Sequence, residues 1–279
     1  MSADYTDGRY GGGISQAHRE LLSRLYRAFS GPFSSREAAE CLQMPPYRAN
    51  RLLAHWASRG WLSRVRRGLY VTVSLDAVRP SEWRRDPWVI ATTVFAPCYI
   101  GGWSAAEHWG LTEQIFADVV VFSATDIRRR RQTIKGTRFM VSSTIEKRMF
   151  GLQSVWRDNV RVLVSSPTRT VVDMLDNPRL GGGIKHVAEM VVELITGEHR
   201  DDDALIEFGK KLGNKTLFKR LGFIIDATGI DAPRLLSFCR DNVSAGYSQL
   251  DPSVRRKGRL LRKWNLAVNV EIGKIGDTA

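Results

Sequence analysis

Between Pro46 and Arg67 the chain reads PYRANRLLAHWASRGWLSRVRR, with six arginines and a histidine and no carboxylate. At 100° per residue, Arg48, Arg51, His55 and Arg59 fall on one helix face, with Tyr47 and Ser58 beside it. Arg64, Arg66 and Arg67 follow at once, next to Gly68. Guanidinium groups stay charged and present a fork of donors that matches phosphate oxygens and the guanine edge, so the chemistry here is anion recognition rather than proton transfer. A basic helix stripe by itself is most often a solvated face. The absence of any acid, the second basic set and the charge of the whole chain together point to DNA. Tyr47 could stack or donate to a phosphate, and Asn50 could pair with adenine or help cap the turn. The expected DNA-binding set is Tyr47, Arg48, Asn50, Arg51, His55, Arg64, Arg66 and Arg67.

The elements that must hold these residues are legible nearby. Leu21, Leu22, Leu25, Ala28 and Phe29 recur at helical spacing after Gln16, and Ser30–Gly31–Pro32 ends the pattern. Ser34 with Glu37 reads as a capping box that opens a short helix with Ala38 and Leu42 inward. Pro46 suits the first turn of a third helix, where its missing N–H costs nothing, and Gly60 ends that helix. Ala49, Leu52, Leu53 and Trp56 form its inward face. Leu62 to Val65 and Leu69 to Val73 read as two short strands joined through Arg66, Arg67 and Gly68. Three helices and a hairpin make a winged helix-turn-helix, whose third helix enters the major groove while the hairpin touches phosphates or the minor groove.

The chain has 279 residues, a net charge of +13 and a sequence pI near 10. Residues 1–75 hold 11 Lys+Arg against 5 Asp+Glu, so the excess is densest where the basic helix lies. Cys41, Cys98 and Cys239 are far apart and form no CxxC pair, which argues against a disulfide framework or a zinc site and fits a reducing cytoplasm. The N-terminus has no apolar run resembling a signal peptide, and no window resembles a membrane span. A soluble cytoplasmic protein is expected. Residues 1–15 read as a flexible leader, 16–80 as the winged helix, and 81–279 as a second domain, with the boundary inside Asp76–Trp88.

The second domain reads as mixed α/β with a helical C-terminal half, so the chain as a whole is α+β. WVIATTVF is an apolar helix or strand start, and YIGGWSAAEHWGL is a glycine-marked turn feeding a helix from Ser104. ADVVVFSA is a strand, RRRRQTIKG a basic turn, TRFMVSS an answering strand and VRVLVSS another. PTRTVVDML is a helix with Pro167 at its first position. From Gly181 onward, four apolar faces predict four helices, on Ile184 to Ile195, Leu205 to Leu212, Leu217 to Thr228 and Leu235 to Cys239. WNLAVNV reads as a last strand. Arg128, Arg129, Arg130 and Arg131 could extend the DNA contact, meet an acidic partner or be a solvated turn. The segment with Arg255, Arg256 and Lys257 is read in the same way.

Catalytic signatures are absent from the sequence: there is no HxxxH pair, GxSxG elbow, P-loop or GxGxxG. Gly181–Gly183 could cradle a phosphate but reads better as a turn, and Asp201–Asp203 reads better as a helix start than as a magnesium site. No cofactor, metal or catalytic residue is expected.

RRGLYV closes the winged helix, followed by YIGGWSAAEHWGLTEQ, VVVFSATDIRRRRQTIKGTRF, SPTRTVVDMLDNP, KRLGFIIDATG and YSQLDP…RKGRLLRKWNLAVN. In this order, over nearly all of residues 16–270, the chain resembles the AbiEi-type antitoxins of bacterial abortive-infection toxin–antitoxin pairs, which serve phage defence. The resemblance implies a repressor of its own operon that reads inverted repeats in the promoter. It also implies a C-terminal domain that neutralises a nucleotidyltransferase-type toxin encoded next door, by contact or indirectly. The alternatives are a DNA-acting enzyme, such as a nuclease or modifying enzyme, guided by a winged helix, and a stand-alone transcription regulator.

Overall fold

The computed structural model describes residues 15–29, 31–66, 68–73, 86–127, 129–255 and 257–273. The expected leader therefore lies almost wholly outside the described residues, as does most of the expected domain boundary. The chain divides into two compact units, 1–84 and 85–279.

The first unit has the three helices and the two hairpin strands in the predicted order, with one further short strand that was not predicted. Helix α1 (Gln16–Ala28) is followed by strand β1 (Phe33–Ser34), helices α2 (Ser35–Leu42) and α3 (Pro46–Ser58), and strands β2 (Leu62–Arg66) and β3 (Leu69–Thr72). The capping box is present: Ser34 Oγ accepts the Glu37 N–H at 3.1 Å, and Glu37 Oε2 accepts the Ser34 N–H at 2.7 Å. Both bonds occupy donors that the first turn of α2 would otherwise leave bare. Strands β2 and β3 pair antiparallel with a bulge between Arg64 and Arg66, and β3 also pairs with β1. Leu25, Phe33, Ala38, Leu53, Trp56 and Leu62 are fully buried in the core between these elements.

The second unit is built on a mixed six-stranded sheet. Helix α4 (Pro87–Phe95), strand β4 (Cys98–Ile100) and helix α5 (Gly102–His108) lead to β5 (Asp118–Ser123), β6 (Arg131–Ile134), β7 (Thr137–Ser143), β8 (Leu152–Arg157) and β9 (Val160–Ser165). The order across the sheet is β6-β7-β5-β4-β9-β8. One expectation is corrected here. The basic turn read over RRRRQTIKG is partly strand, since Arg131–Ile134 pairs with β7 and the chain reverses only at Lys135–Gly136. The answering strand β7 runs parallel to β5, with β6 as its antiparallel neighbour. Parallel pairing depends on contacts far apart in the chain, which local patterning does not encode. Helix α5 also starts earlier than predicted, at Gly102, which adopts φ +55° and where an added Cβ would sit 2.5 Å from the Leu180 carbonyl.

Helices α6 (Pro167–Asp176), α7 (Ile184–Thr196), α8 (Asp202–Leu212), α9 (Thr216–Thr228) and α10 (Pro233–Asp241) form the helical half. Every residue of α6 from Pro167 to Leu175 is buried, with α5, α7, α8 and α9 packed around it. Its charges are matched internally. Arg169 Nε donates to Asp173 Oδ1 at 3.0 Å and Arg169 Nη2 donates to the Tyr99 hydroxyl at 3.2 Å, while that hydroxyl donates to Asp173 Oδ2 at 3.0 Å. Burial pushes the Asp173 carboxyl up from 3.8 to about 6 despite the arginine beside it. Arg220 on α9 donates to the carbonyls of Leu175, Asp176, Gln249 and Leu250. A small sheet closes the chain, with β10 (Ser248–Gln249) and β11 (Arg259–Leu261) on either side of β12 (Leu266–Val268). The basic Arg255–Lys263 segment thus contains a strand that the sequence reading missed. Gly222 on α9 lies directly under the Trp264 ring, whose Nε1 donates to Asp226 Oδ2 at 2.7 Å.

Gly222→Ala forces a methyl group into the Trp264 ring and is expected to destabilise the protein by about 1–3 kcal/mol in urea unfolding, because both neighbours are fully packed. A stability equal to wild type would show that α9 and Trp264 move apart freely. Between pH 3.8 and about 6 the folded protein holds a proton on Asp173 that the unfolded chain has released. The carboxyl's contribution to stability is therefore greatest below that window and is lost as pH rises through it. Wild type should lose stability relative to Asp173→Asn as pH rises from about 4 to about 6, and a difference independent of pH would contradict this assignment.

Candidate nucleic-acid interface

Helix α3 is positioned from its inner face. Ala49, Leu53 and Trp56 are fully buried against the first unit's core, and Leu52 is half-buried. The opposite side is left to solvent: Tyr47, at 76% exposure, and Arg48, Asn50, Arg51, His55, Ser58 and Arg59 all stand out of the surface. Pro46 occupies the first position, no side chain caps the helix N-terminus, and the first turn holds no acid. The helix dipole therefore adds positive potential at the end where Tyr47 and Arg48 lie. No described residue forms an ion pair with Arg48 or Arg51.

His55 has a second role that the sequence reading missed. Its ring lies 6.2 Å from the rings of both His18 and Trp61, and His18 in turn stands edge-on to Trp56 at 5.8 Å. His55 thus sits where α1, α3 and the start of the hairpin meet. Only the exposed side of its ring is left for a ligand.

The hairpin is held at both ends. At its base the Tyr26 hydroxyl lies 2.6 Å from the Val73 carbonyl and 3.0 Å from the Trp61 carbonyl, and it accepts the Val73 N–H at 3.2 Å. Burial raises the pKa of this phenol, so it remains a donor. At its tip Gly68, with φ +78°, offers its carbonyl to the Ser35 N–H at 3.0 Å, which ties the turn to the start of α2. Arg64 is exposed on β2 opposite Tyr70, whose ring is buried. Arg66 closes β2, although its side chain lies outside the described residues, as does the whole of Arg67. Tyr26 has no sequence signal of its own, because its partners lie 35 and 47 residues away.

The remaining predicted positions belong to the second unit. Arg129, Arg130 and Arg131 are exposed around the start of β6, and Arg255 and Lys257 are exposed before β11; Arg128 and Arg256 lie outside the described residues. Further along that segment Lys263 Nζ pairs with Asp226 at 2.5 Å, so its charge is partly neutralised. The two weaker anion and cation sites considered from sequence are occupied by the chain itself. At the N-terminus of α7, behind Gly181–Gly183, Asp251 Oδ2 accepts the Ile184 N–H at 2.8 Å, so a carboxylate fills the seat a phosphate would take. Asp201 caps α8 through the Ala204 N–H at 2.8 Å, Asp202 pairs with Arg200 and Asp203 with Arg234. Among the described residues no group of His, Cys, Asp or Glu is placed to hold a metal ion. Burial raises the Cys98 and Cys239 thiols to about 12, which keeps both protonated. No helix among the described residues is long and apolar enough to cross a membrane.

Residues 20–73 match the family model described as transcriptional regulator, AbiEi antitoxin. That segment runs from within α1 to the end of the hairpin, so the basic face of α3 lies inside the stretch that is similar to this family. No curated protein matches significantly. The fold is similar to the crystal structure of the RV2827C protein from Mycobacterium tuberculosis, with a TM-score of 0.59 at 13% identity, covering 91% of this chain and 92% of that one. At that identity the likeness concerns the fold.

Tyr26→Phe removes the donor that joins α1 to both strands at the base of the hairpin and leaves the Val73 N–H and carbonyl short of a partner. A loss of about 1–3 kcal/mol is expected for the first unit. Hydrogen exchange at Val73 should speed up in step with the loss, and unchanged exchange would remove Tyr26 from this role.

Proposed function

We propose, from the match of residues 20–73 to AbiEi antitoxin regulators, that this protein is a cytoplasmic antitoxin that represses its own operon. The proposal assigns promoter binding to residues 16–80 and toxin neutralisation to residues 81–279. The observation that carries it is the exposed, acid-free face of α3, held outward by a fully buried opposite face. In this reading α3 enters the major groove, where Arg48, Arg51 and Asn50 meet base edges and phosphates, with Tyr47 and His55 flanking them. The hairpin, with Arg64, Arg66 and Arg67, lies along the backbone. Inverted repeats in the promoter would be read by two copies of the domain. The neutralised partner is a nucleotidyltransferase-type toxin encoded by the neighbouring gene, by contact or indirectly, as the resemblance implies.

Fluorescence anisotropy on the protein's own upstream DNA, against a scrambled duplex at two salt concentrations, tests the proposal. Wild type should prefer the promoter, with log K falling by about 0.9 per phosphate neutralised for each log unit of salt. Arg48→Ala with Arg51→Ala should weaken binding by roughly 2–6 kcal/mol, taking about 1–3 for each arginine, while rescue of growth from the neighbouring gene's product persists. Equal affinity for both duplexes, or equal loss of both activities in a folded double variant, would reject the division of labour.

A further inference from the structure

We propose that the second unit carries a binding site for a phosphorylated small ligand of nucleotide size, in a cavity of about 730 Å³. Three arginines reach it from two parts of the chain. Arg130 and Arg131 come from the start of β6, and Arg179 comes from the turn between α6 and α7. No aspartate or glutamate lines the cavity. Among the described residues Arg130 and Arg131 make no ion pair or side-chain hydrogen bond. Arg179 spends one nitrogen on the Pro252 carbonyl, at 3.1 Å, which fixes the guanidinium in place and leaves its other donors available. Asp251, two residues from the lining Ser253, is already engaged by the Ile184 and Ser253 N–H groups. The three positive charges therefore meet no counter-charge inside the cavity, and an anion is the complement that such a potential selects.

The rest of the lining narrows the class. Leu180, Met140, Val141 and Trp103 provide an apolar wall, and Ser142, Ser143, Asn177 and Ser253 add hydroxyl and amide groups. An inorganic anion would leave that apolar wall unused, whereas a ligand joining a ring to one or more phosphates fits both halves of the surface. The volume falls in the range of small-molecule sites, which are concave and mostly preformed. The site is independent of α3, so this proposal and the DNA reading can fail separately.

The test uses the purified full-length chain with ATP, GTP, CTP and UTP, each followed by calorimetry and by the shift in unfolding temperature. Inorganic phosphate and the matching nucleosides serve as probes of each half of the ligand. At least one nucleotide should bind and stabilise the protein, at least about tenfold more tightly than its nucleoside or than phosphate. Arg130→Ala with Arg131→Ala should lose at least about tenfold in nucleotide affinity. Ser142→Leu, which fills the cavity without touching charge, should do the same. Phosphate binding as tightly as every nucleotide would overturn the nucleotide class, because the apolar wall would then contribute nothing. Absence of nucleotide binding, with the arginine pair variant weakening promoter affinity instead, would assign Arg130 and Arg131 to duplex DNA. Nucleotide binding that survives both variants would place the ligand elsewhere.

Discussion

A helix without a solvent face must satisfy inside the protein every charge it carries, and α6 carries Arg169 and Asp173 there. An unpaired ion at that depth costs several kcal/mol, so the two are locked to each other and to the Tyr99 hydroxyl, while the Phe150 ring covers the guanidinium 4.1 Å away. The sheet strand that holds Tyr99 is thereby fixed against α6. The far end of the helix is closed by Arg220, whose guanidinium takes the last carbonyls of α6 and those of Gln249 and Leu250. A cation at that end also meets the negative pole of the helix. One residue further along, Asp251 caps the start of α7. The segment Gln249–Asp251 therefore joins the end of one core helix to the beginning of the next.

These interactions explain what the motifs behind the family resemblance are for. SPTRTVVDML contains the internal ion pair, KRLGFIIDATG contains Arg220 with Gly222 and Asp226, and YSQLDP contains the segment they grip. RLLRKW supplies Lys263 and the Trp264 ring that lies over Gly222. The ion pair of SPTRTVVDML is local, but it and the others reach distant partners that only the fold brings near: Tyr99 for Arg169 and Asp173, Gln249 and Leu250 for Arg220, and Trp264 for Gly222. The contacts they make in the structure are ones that hold the scaffold.

What was legible in the sequence follows from how local its causes are. The capping box at Ser34, the proline starts at Pro46 and Pro167 and the apolar faces of α7 to α10 each depend on residues within a few positions of one another, and all stand in the structure. Strands β4 and β8 escaped because they are short or lie at the sheet edge, where exposed residues such as Trp156 break the apolar alternation. The parallel run of β5 and β7 and the Tyr26 clasp needed partners that no window of sequence contains. The basic face of α3 was legible as a helical period. The arginine cavity was not, because Arg130 and Arg179 meet only after β6, β7 and the α6–α7 turn have packed.

The net charge of +13 is therefore of two kinds. Arg138, Arg200, Arg234 and Lys263 each face a carboxylate, and Arg169 and Arg220 are spent on the core, so these cations are accounted for by structure. The cations of α3 and those around the start of β6 are not. Crowding like charges on one helix face costs stability through mutual repulsion, and here nothing in the helix neutralises it. That cost is carried by the buried Ala49, Leu53 and Trp56 on the opposite side, which hold the helix in place whatever its outer face contains. Unlike Arg138, Arg200, Arg234 and Lys263, the cations of α3 and of the start of β6 meet no carboxylate among the described residues, and that lack of an internal partner is the physical basis for proposing an anion from outside the chain as their complement.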